Sequence, residues 1–199
     1  MCLLIETIKF HNGEFHLLSY HEARAQRARK ALFGIDQPLF LNEIKPPEYL
    51  EQDQTYKCRV LYDETIKEVT FTAYQYKPAY QLQCVYDDEV KYDHKYEDRR
   101  QIEDLSAKKG DADDIIIIRD NLVTDAAYSN LAFLKNGKWY TPEHPLLQGT
   151  KRAYYLDIGF IMPERITRED VYKFEAVCRI NAFMDLSEKN AVPTDNIRL

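Results

Sequence analysis

The sequence is short of glycine and proline, with 6 and 8 among 199 residues. That excludes a collagen-like chain and one dominated by disordered linkers. It has four cysteines, Cys2, Cys58, Cys84 and Cys178, none at a C-x-x-C spacing, so zinc-ribbon and thioredoxin-type chemistry are excluded. Their aliphatic neighbours make them read as reduced core or near-core thiols of a cytosolic protein. Basic residues are in deficit: the formal charge is −6, and a nucleic-acid binder usually shows the opposite balance. The cluster Arg24, Arg27, Arg29 and Lys30 is short and reads mostly as a solvated helix face. No apolar run approaches the roughly 18 residues of a membrane span. The apolar start, Leu3-Leu4-Ile5, lacks the basic flank and the length of a signal-peptide core.

Several catalytic signatures are also missing. There is no G-x-S-x-G, no H-E-x-x-H, no P-loop and no G-x-G-x-x-G, which leaves serine-hydrolase, zincin and nucleotide-loop readings without support. His11, His16 and His21 recur every five residues. Two fall on opposite arms of a predicted hairpin and the third on a helix, and no carboxylate spacing completes a ligand set, so no metal is expected.

What is present is an ordinary globular balance of 45% apolar and 30% charged residues, rich in tyrosine (15). At roughly 150 residues per domain, the length allows one large domain or two small ones. The pattern predicts antiparallel hairpins at Asn12-Gly13 and Asn136-Gly137, because such pairs tolerate positive φ in two-residue turns. Ser19 and Glu22 match a capping box for a helix from about Tyr20 to Phe33, stopped by Gly34. Leu39–Ile44 is a candidate short helix. Strands are predicted at 56–62, 69–76 and 81–86, and a helix at 99–109 with Ile102, Leu105 and Ala107 inward. The run Ile115-Ile116-Ile117-Ile118 suits a strand buried on both faces, and Asp120-Asn121 turns the chain back. A helix is predicted at 150–158, ended by Gly159, and a last helix opens at Thr167 with Val171, Phe174, Val177 and Cys178 as its stripe. The tail from Ala191 should fray. Strands and helices mixed with clear hairpins indicate an α+β fold. The polar stretch 87–95 suggests a boundary, giving an N-terminal domain of 1–88 and a C-terminal domain of 89–199.

Three features carry possible chemistry. Gly149-Thr150-Lys151-Arg152 opens a predicted helix, and a helix N-terminus with free N–H groups favours anions, although such starts are commonly plain caps. Lys95 sits in the polar stretch; most lysines are solvated, and a catalytic one needs a desolvated amine. Asp125 follows the strand 122–124 and precedes Ser129-Asn130, where a carboxylate is either a cap or a ligand contact.

Their order resembles that of the class IV aminotransferases, the fold-type IV pyridoxal-phosphate (PLP) enzymes. Thr124-Asp125-Ala126-Ala127-Tyr128-Ser129-Asn130-Leu131, then Asn136-Gly137-Lys138-Trp139-Tyr140-Thr141-Pro142, then Leu147-Gln148-Gly149-Thr150-Lys151-Arg152, is similar to that family's T-E-x3-S-N, G-x-x-x-T-P and L-x-G-x-x-R run. Lys95 with Asp98-Arg99 resembles the Schiff-base lysine and its K-x-x-N-R neighbourhood, and Glu6-Thr7 with His21 and Arg24 resembles the family's E-T and H-x-x-R. The resemblance implies the D-amino-acid aminotransferase-like architecture of two small domains, PLP between them, and a homodimer. It implies Lys95 as the catalytic, cofactor-holding amine. It implies Asp125 beside the pyridine nitrogen, where most relatives carry Glu, and phosphate or ring contacts from Arg24, Ser129, Asn130, Gly149, Thr150 and Lys151. The implied substrates are small amino or keto acids or an aminodeoxychorismate-like molecule, with aminotransferase and lyase chemistry both open. Substrate-carboxylate contacts would come from variable loops, with Arg59 and Tyr62 marking a place to look. This sequence departs from the family at Asp98, Asp125 and Lys151, and Arg99 and Arg100 occupy the stretch where many relatives place a tyrosine. Those departures, with a short first domain, motivate the alternative of a non-catalytic PLP-binding or scaffold protein.

Overall fold

The computed structural model describes residues 2–199. The chain divides into two compact units. Among the described residues, the first comprises 2–76 with His94–Asp98, the second Lys77–Asp93 with Arg99–Leu199.

In the first unit, β1 (Leu4–His11) turns through Asn12-Gly13, with φ of 51° and 79°, into β2 (Glu14–Phe15). Both turn residues take the left-handed backbone that this hairpin requires. Helix α1 (Leu18–Phe33) follows and ends at Gly34, whose φ of 72° lets its N–H close back on the last turn. Strands β3 (Tyr56–Tyr62) and β4 (Ile66–Ala73) complete an antiparallel sheet of order β2-β1-β3-β4. Leu4 pairs with Tyr62 and Phe10 with Tyr56 at the ends of the β1–β3 register. The core joins Leu4 and Ile8 of β1, Ala25 and Ala28 of α1, and Cys58, Val60 and Tyr62 of β3. Because side chains alternate along a strand, Glu6 lies in phase with Leu4 and Ile8, on the buried face. The segment His94–Asp98 joins β1 near its start: Ile5 N–H donates to the Lys95 carbonyl (2.9 Å), and Leu4 bridges Tyr96.

The second unit holds two sheets. In one, β13 (Ile197–Arg198), β5 (Leu82–Tyr86) and β6 (Asp114–Arg119) run parallel, and β7 (Leu122–Val123) pairs antiparallel to β6. Helix α2 (Arg100–Ser106) lies between β5 and β6 in sequence. In the other, β8 (Asn130–Lys135) and β9 (Lys138–Pro142) form the hairpin at Asn136-Gly137, flanked by β10 (Met162–Glu164), β11 (Ala176–Ile180) and β12 (Ala191–Pro193). Helix α3 (Thr150–Asp157) connects β9 to β10. Strand β8 is apolar on both faces: Leu131 and Phe133 join Ile116, Ile118 and Val177 in one core, while Ala132 and Leu134 join Trp139, Tyr155 and Ile180 in another.

Several expectations are corrected. Ser19 is not an N-cap; α1 begins two residues earlier than expected, at Leu18 behind Leu17, which adopts the left-handed conformation, and the Glu22 carboxylate accepts from Asn42 N–H instead. Ala107 is exposed, in a 3₁₀ turn after α2. Cys2 is exposed, whereas the other three cysteines are buried. The expected last helix is only a 3₁₀ turn, Glu169–Lys173, followed by β11. Val171, Phe174, Val177 and Cys178 are all buried as expected, but cross-strand pairing with β8 and β12 on both sides of Ala176–Ile180 overrides the helical spacing. The tail does not fray: β12 and β13 each add to a sheet. A boundary at 88/89 would leave β5 outside the sheet it shares with β6, and it would separate Lys95 from β1. No helix among the described residues is long and apolar enough to cross a membrane.

Candidate active site

In the first unit, α1 lays His21, Arg24, Ala25 and Ala28 along one buried stripe, the i, i+3, i+4, i+7 spacing of a core face. Two of those residues are basic, and Glu6 answers both. Arg24 donates to its carboxylate through Nε (2.9 Å, Oε1) and Nη2 (2.5 Å, Oε2), and His21 Nδ1 lies 2.6 Å from Oε2. The planar fork of arginine matches a carboxylate in this way and fixes its orientation. Glu6 is fully buried, and that burial pushes its pKa upward. Arg24, with His21, outweighs it and holds the carboxyl down at about 2. Burial lowers the pKa of His21 against the pull of Glu6, and the charges of Arg24 and Lys95 lower it further. His21 is therefore a neutral orienting group near neutral pH. Lys95 itself is partly buried, its backbone pinned to β1 one residue before Glu6.

In the second unit, the loop after β7 brings Asp125 back against Asn130 at the start of β8. Asp125 is buried. One carboxylate oxygen accepts from Asn130 Nδ2 (2.6 Å) and the other from Leu147 N–H (2.8 Å). Asn130 also donates to the Leu147 carbonyl (2.9 Å). Burial raises the Asp125 pKa to about 6; the bonds from Leu147 and Asn130 and the charge of Arg152 oppose it without cancelling it. No cation stands within ion-pair distance of Asp125 among the described residues. A buried carboxylate with only neutral donors is costly when charged. Its folded pKa exceeds its unfolded one. The carboxyl therefore costs nothing below about pH 4 and on the order of 3 kcal/mol above pH 6, so stability falls as pH rises through that window. A carbon-13 NMR titration of Asp125 in cofactor-free protein should show a midpoint near 6; an ordinary carboxylate midpoint would contradict the burial argument.

Gly149 closes this cluster at the N-terminus of α3. A Cβ there would fall 1.9 Å from Asn130 Oδ1, although its φ of −71° and ψ of 146° suit any residue. The glycine is required for space and not for backbone freedom. Gly149→Ala should displace Asn130 from Asp125 and Leu147 and cost about 1–3 kcal/mol in chemical denaturation. Thr150, buried, is the first residue of α3. Ser129 lies on the turn between Asp125 and Asn130; its Oγ is buried and makes no hydrogen bond among the described residues. Arg152 braces the loop from within, donating to Thr141 Oγ1 (3.2 Å), Gln148 Oε1 (3.2 Å) and the Pro142 carbonyl (2.8 Å).

The structure thus gathers Asp125, Ser129, Asn130, Gly149 and Thr150 around one loop pair. Arg24 and Lys95 belong to the first unit, with Glu6 and His21. Lys151 is drawn into an ion pair with Asp185 and lies over the Tyr155 ring, so its charge is already answered. Near the proposed carboxylate region, Arg59 donates to Glu97 (3.1 Å) and Tyr62 is a core residue. Burial pushes the Cys58 and Cys84 thiols up to about 12, which makes them poor nucleophiles. Sequence reasoning missed Glu6 as the partner of Arg24 and missed Arg152 as a brace. Glu6 was detectable, because strand alternation puts it on the core face, where a carboxylate needs a buried cation.

The sequence model of the family "Amino-transferase class IV" matches residues 3–188. An uncharacterized protein of Haemophilus influenzae is 35% identical over 186 residues, covering 92% of this chain and 98% of that one. A crystal structure from Haemophilus somnus, provisionally assigned as a 4-amino-4-deoxychorismate lyase, is 29% identical with a TM-score of 0.83, covering 94% and 98%. The PLP-bound form of a hypothetical aminotransferase from Mycobacterium tuberculosis has a TM-score of 0.69 at 13% identity, covering 98% and 81%. The fold is that of the fold-type IV PLP-dependent enzymes, and the chain belongs to the class IV aminotransferase family. Its modest length is shared with the H. somnus protein, nearly all of which it spans.

Proposed function

We propose that the protein is a cytoplasmic, homodimeric PLP-dependent enzyme acting on a small amino-acid or aminodeoxychorismate-like substrate, as an aminotransferase or a lyase. The observation that carries the reading is the buried carboxylate of Asp125, which lacks a paired cation. PLP fits the residues around it. A protonated pyridine nitrogen would supply the missing charge, and the unpartnered Ser129 Oγ offers a hydrogen bond, while the absence of a side chain at Gly149 lets Asn130 hold the Asp125 carboxylate in place.

Bound PLP supplies an electron sink when a bond to the substrate's α-carbon breaks. Lys95 would hold the cofactor by its aldehyde carbon and, once displaced by the substrate amine, move the proton at the α-carbon. Asp125 would keep the ring nitrogen protonated. Both of its oxygens are anchored, to Asn130 and Leu147, which fixes the carboxylate's orientation. Arg24, aimed by Glu6, and the N-terminus of α3 at Gly149, Thr150 and Lys151 would take the phosphate, with Asn130 holding the loop. Lys151 adds little net charge there, because Asp185 neutralises it.

The test is turnover of purified, PLP-loaded protein with and without a keto-acid acceptor. Continued pyruvate release from aminodeoxychorismate without acceptor marks a lyase. Transfer that stops without acceptor marks an aminotransferase. Neither, in protein that carries PLP on Lys95, would favour the non-catalytic alternative.

A further inference from the structure

We propose that Arg99 is a positioning residue for the turn that presents Asp125 and Ser129; the proposal rests on the PLP reading above. The turn Ala126-Ala127-Tyr128-Ser129 is closed by one backbone bond, Ala126 N–H to the Ser129 carbonyl (2.9 Å). Such a turn between two buried polar groups is accurate only if something holds its peptide planes. Here charged side chains grip the same residue from both directions. Arg99 Nη2 donates to the Ala127 carbonyl at 2.6 Å, a short charge-assisted bond. Ala127 N–H donates to Asp114 Oδ1 (3.3 Å), and Asp114 Oδ2 accepts from Arg179 Nη1 (2.8 Å). One residue on, Asn181 Nδ2 donates to the Tyr128 carbonyl (3.1 Å).

Arg99 is itself fixed. Its guanidinium lies 4.4 Å from the centre of the Tyr128 ring and 5.3 Å from that of Tyr92, and Nη1 donates to the Tyr92 hydroxyl (2.8 Å). Tyr92 is buried, so this clamp has a rigid base. Tyr128 is exposed, with 58% of its surface accessible, and so contributes little to the core. A flat cation between two aromatic rings gains stacking energy as well as hydrogen bonds. Lysine can supply the charge but cannot supply both fork bonds. Arg99 donates to the Tyr92 hydroxyl and the Ala127 carbonyl and not to Asp125 or Ser129; it acts through the Ala127 peptide.

The test uses full-length Arg99→Met, Arg99→Lys and Tyr92→Phe. In protein without cofactor, amide hydrogen exchange at Ala126 and Ala127 should quicken by about tenfold in Arg99→Met while the amides of β6 stay unchanged, the mark of local opening. With PLP added, Arg99→Met should still form the borohydride-reducible bond at Lys95. Its PLP dissociation constant should rise by about tenfold, and the visible circular dichroism of bound PLP at saturation should fall by about half or more. Arg99→Lys should be intermediate, and Tyr92→Phe should weaken PLP binding by about twofold to threefold. Quickened exchange with unchanged dichroism and affinity would overturn the positioning role, as would unchanged exchange. If Arg99→Met does not fold, Tyr92→Phe decides on the same two readouts. Absence of any PLP adduct in the unmutated protein would instead overturn the functional reading, with exchange alone then judging the clamp.

Discussion

Replacing Glu6 by Ala is expected to cost about 3–5 kcal/mol of stability at neutral pH, because it leaves Arg24 buried without its counter-charge. Three hydrogen bonds converge on that one carboxylate, and both of its oxygens are used. The pH dependence gives an independent check. Glu6 has a folded-state pKa of about 2 against an ordinary 4.5. Its contribution, roughly 3 kcal/mol by linkage, is complete above the unfolded pKa and is lost as pH falls toward the folded one. The denaturation midpoints of Glu6→Ala and the unmutated protein should therefore lie furthest apart above about pH 5, draw together below about pH 4.5 and meet only as the pH falls to about 2. A gap of constant size across that range would show that packing, and not the ionised carboxylate, is what Glu6 supplies. Glu6→Gln, which keeps the shape and loses the charge, should fall between the two.

The second large effect is at Lys95. Lys95→Ala should lower turnover by about 10²–10⁴-fold or more, the range for losing a positioned proton-transfer group, and it leaves in place the bond from Ile5 N–H, which the Lys95 backbone accepts. Lys91→Ala, at an exposed position four residues upstream, should leave turnover unchanged. Added methylamine should restore part of the rate to Lys95→Ala and none to a variant that has lost PLP binding, such as one lacking the Asp125 carboxylate. Equal rates for Lys95→Ala and the unmutated protein would remove the basis of the mechanism.

The parts of this molecule that were legible in its sequence are those set by neighbours along the chain. Asn12-Gly13 and Asn136-Gly137 announce hairpins because few other residue pairs accept two successive positive φ values. Gly34 ends α1 for the same reason, and the four isoleucines of β6 announce a strand covered on both sides. Illegible were the elements decided by distant partners. Val171, Phe174, Val177 and Cys178 have helical spacing, yet Ala176–Ile180 is claimed by β8 some 45 residues upstream, and a single sequence carries no signal of that pairing. The tail looked unanchored because β5, which captures Ile197, lies in a different part of the chain.

The candidate site divides along the same line. Its residues were marked by a motif order, but their bonds were not. Lys151 reads as added positive charge until Asp185 is found beside it. Gly149 reads as part of an anion-binding or plainly capped helix start until Asn130 is found where its Cβ would lie. Arg24 reads as a phosphate ligand with its charge in hand, whereas Glu6 already accepts two of its N–H groups. In the proposed reading Arg24 would therefore meet a phosphate with its charge already shared, and the N–H groups at the start of α3 would carry more of the anion binding.

The central claim is that Lys95 is the amine to which PLP attaches. Purified protein incubated with PLP, reduced with borohydride, digested and mapped by mass spectrometry tests it most directly. The account predicts one pyridoxyl group per chain, on Lys95. A modified peptide carrying another lysine, or no modified peptide with PLP in excess, would contradict it.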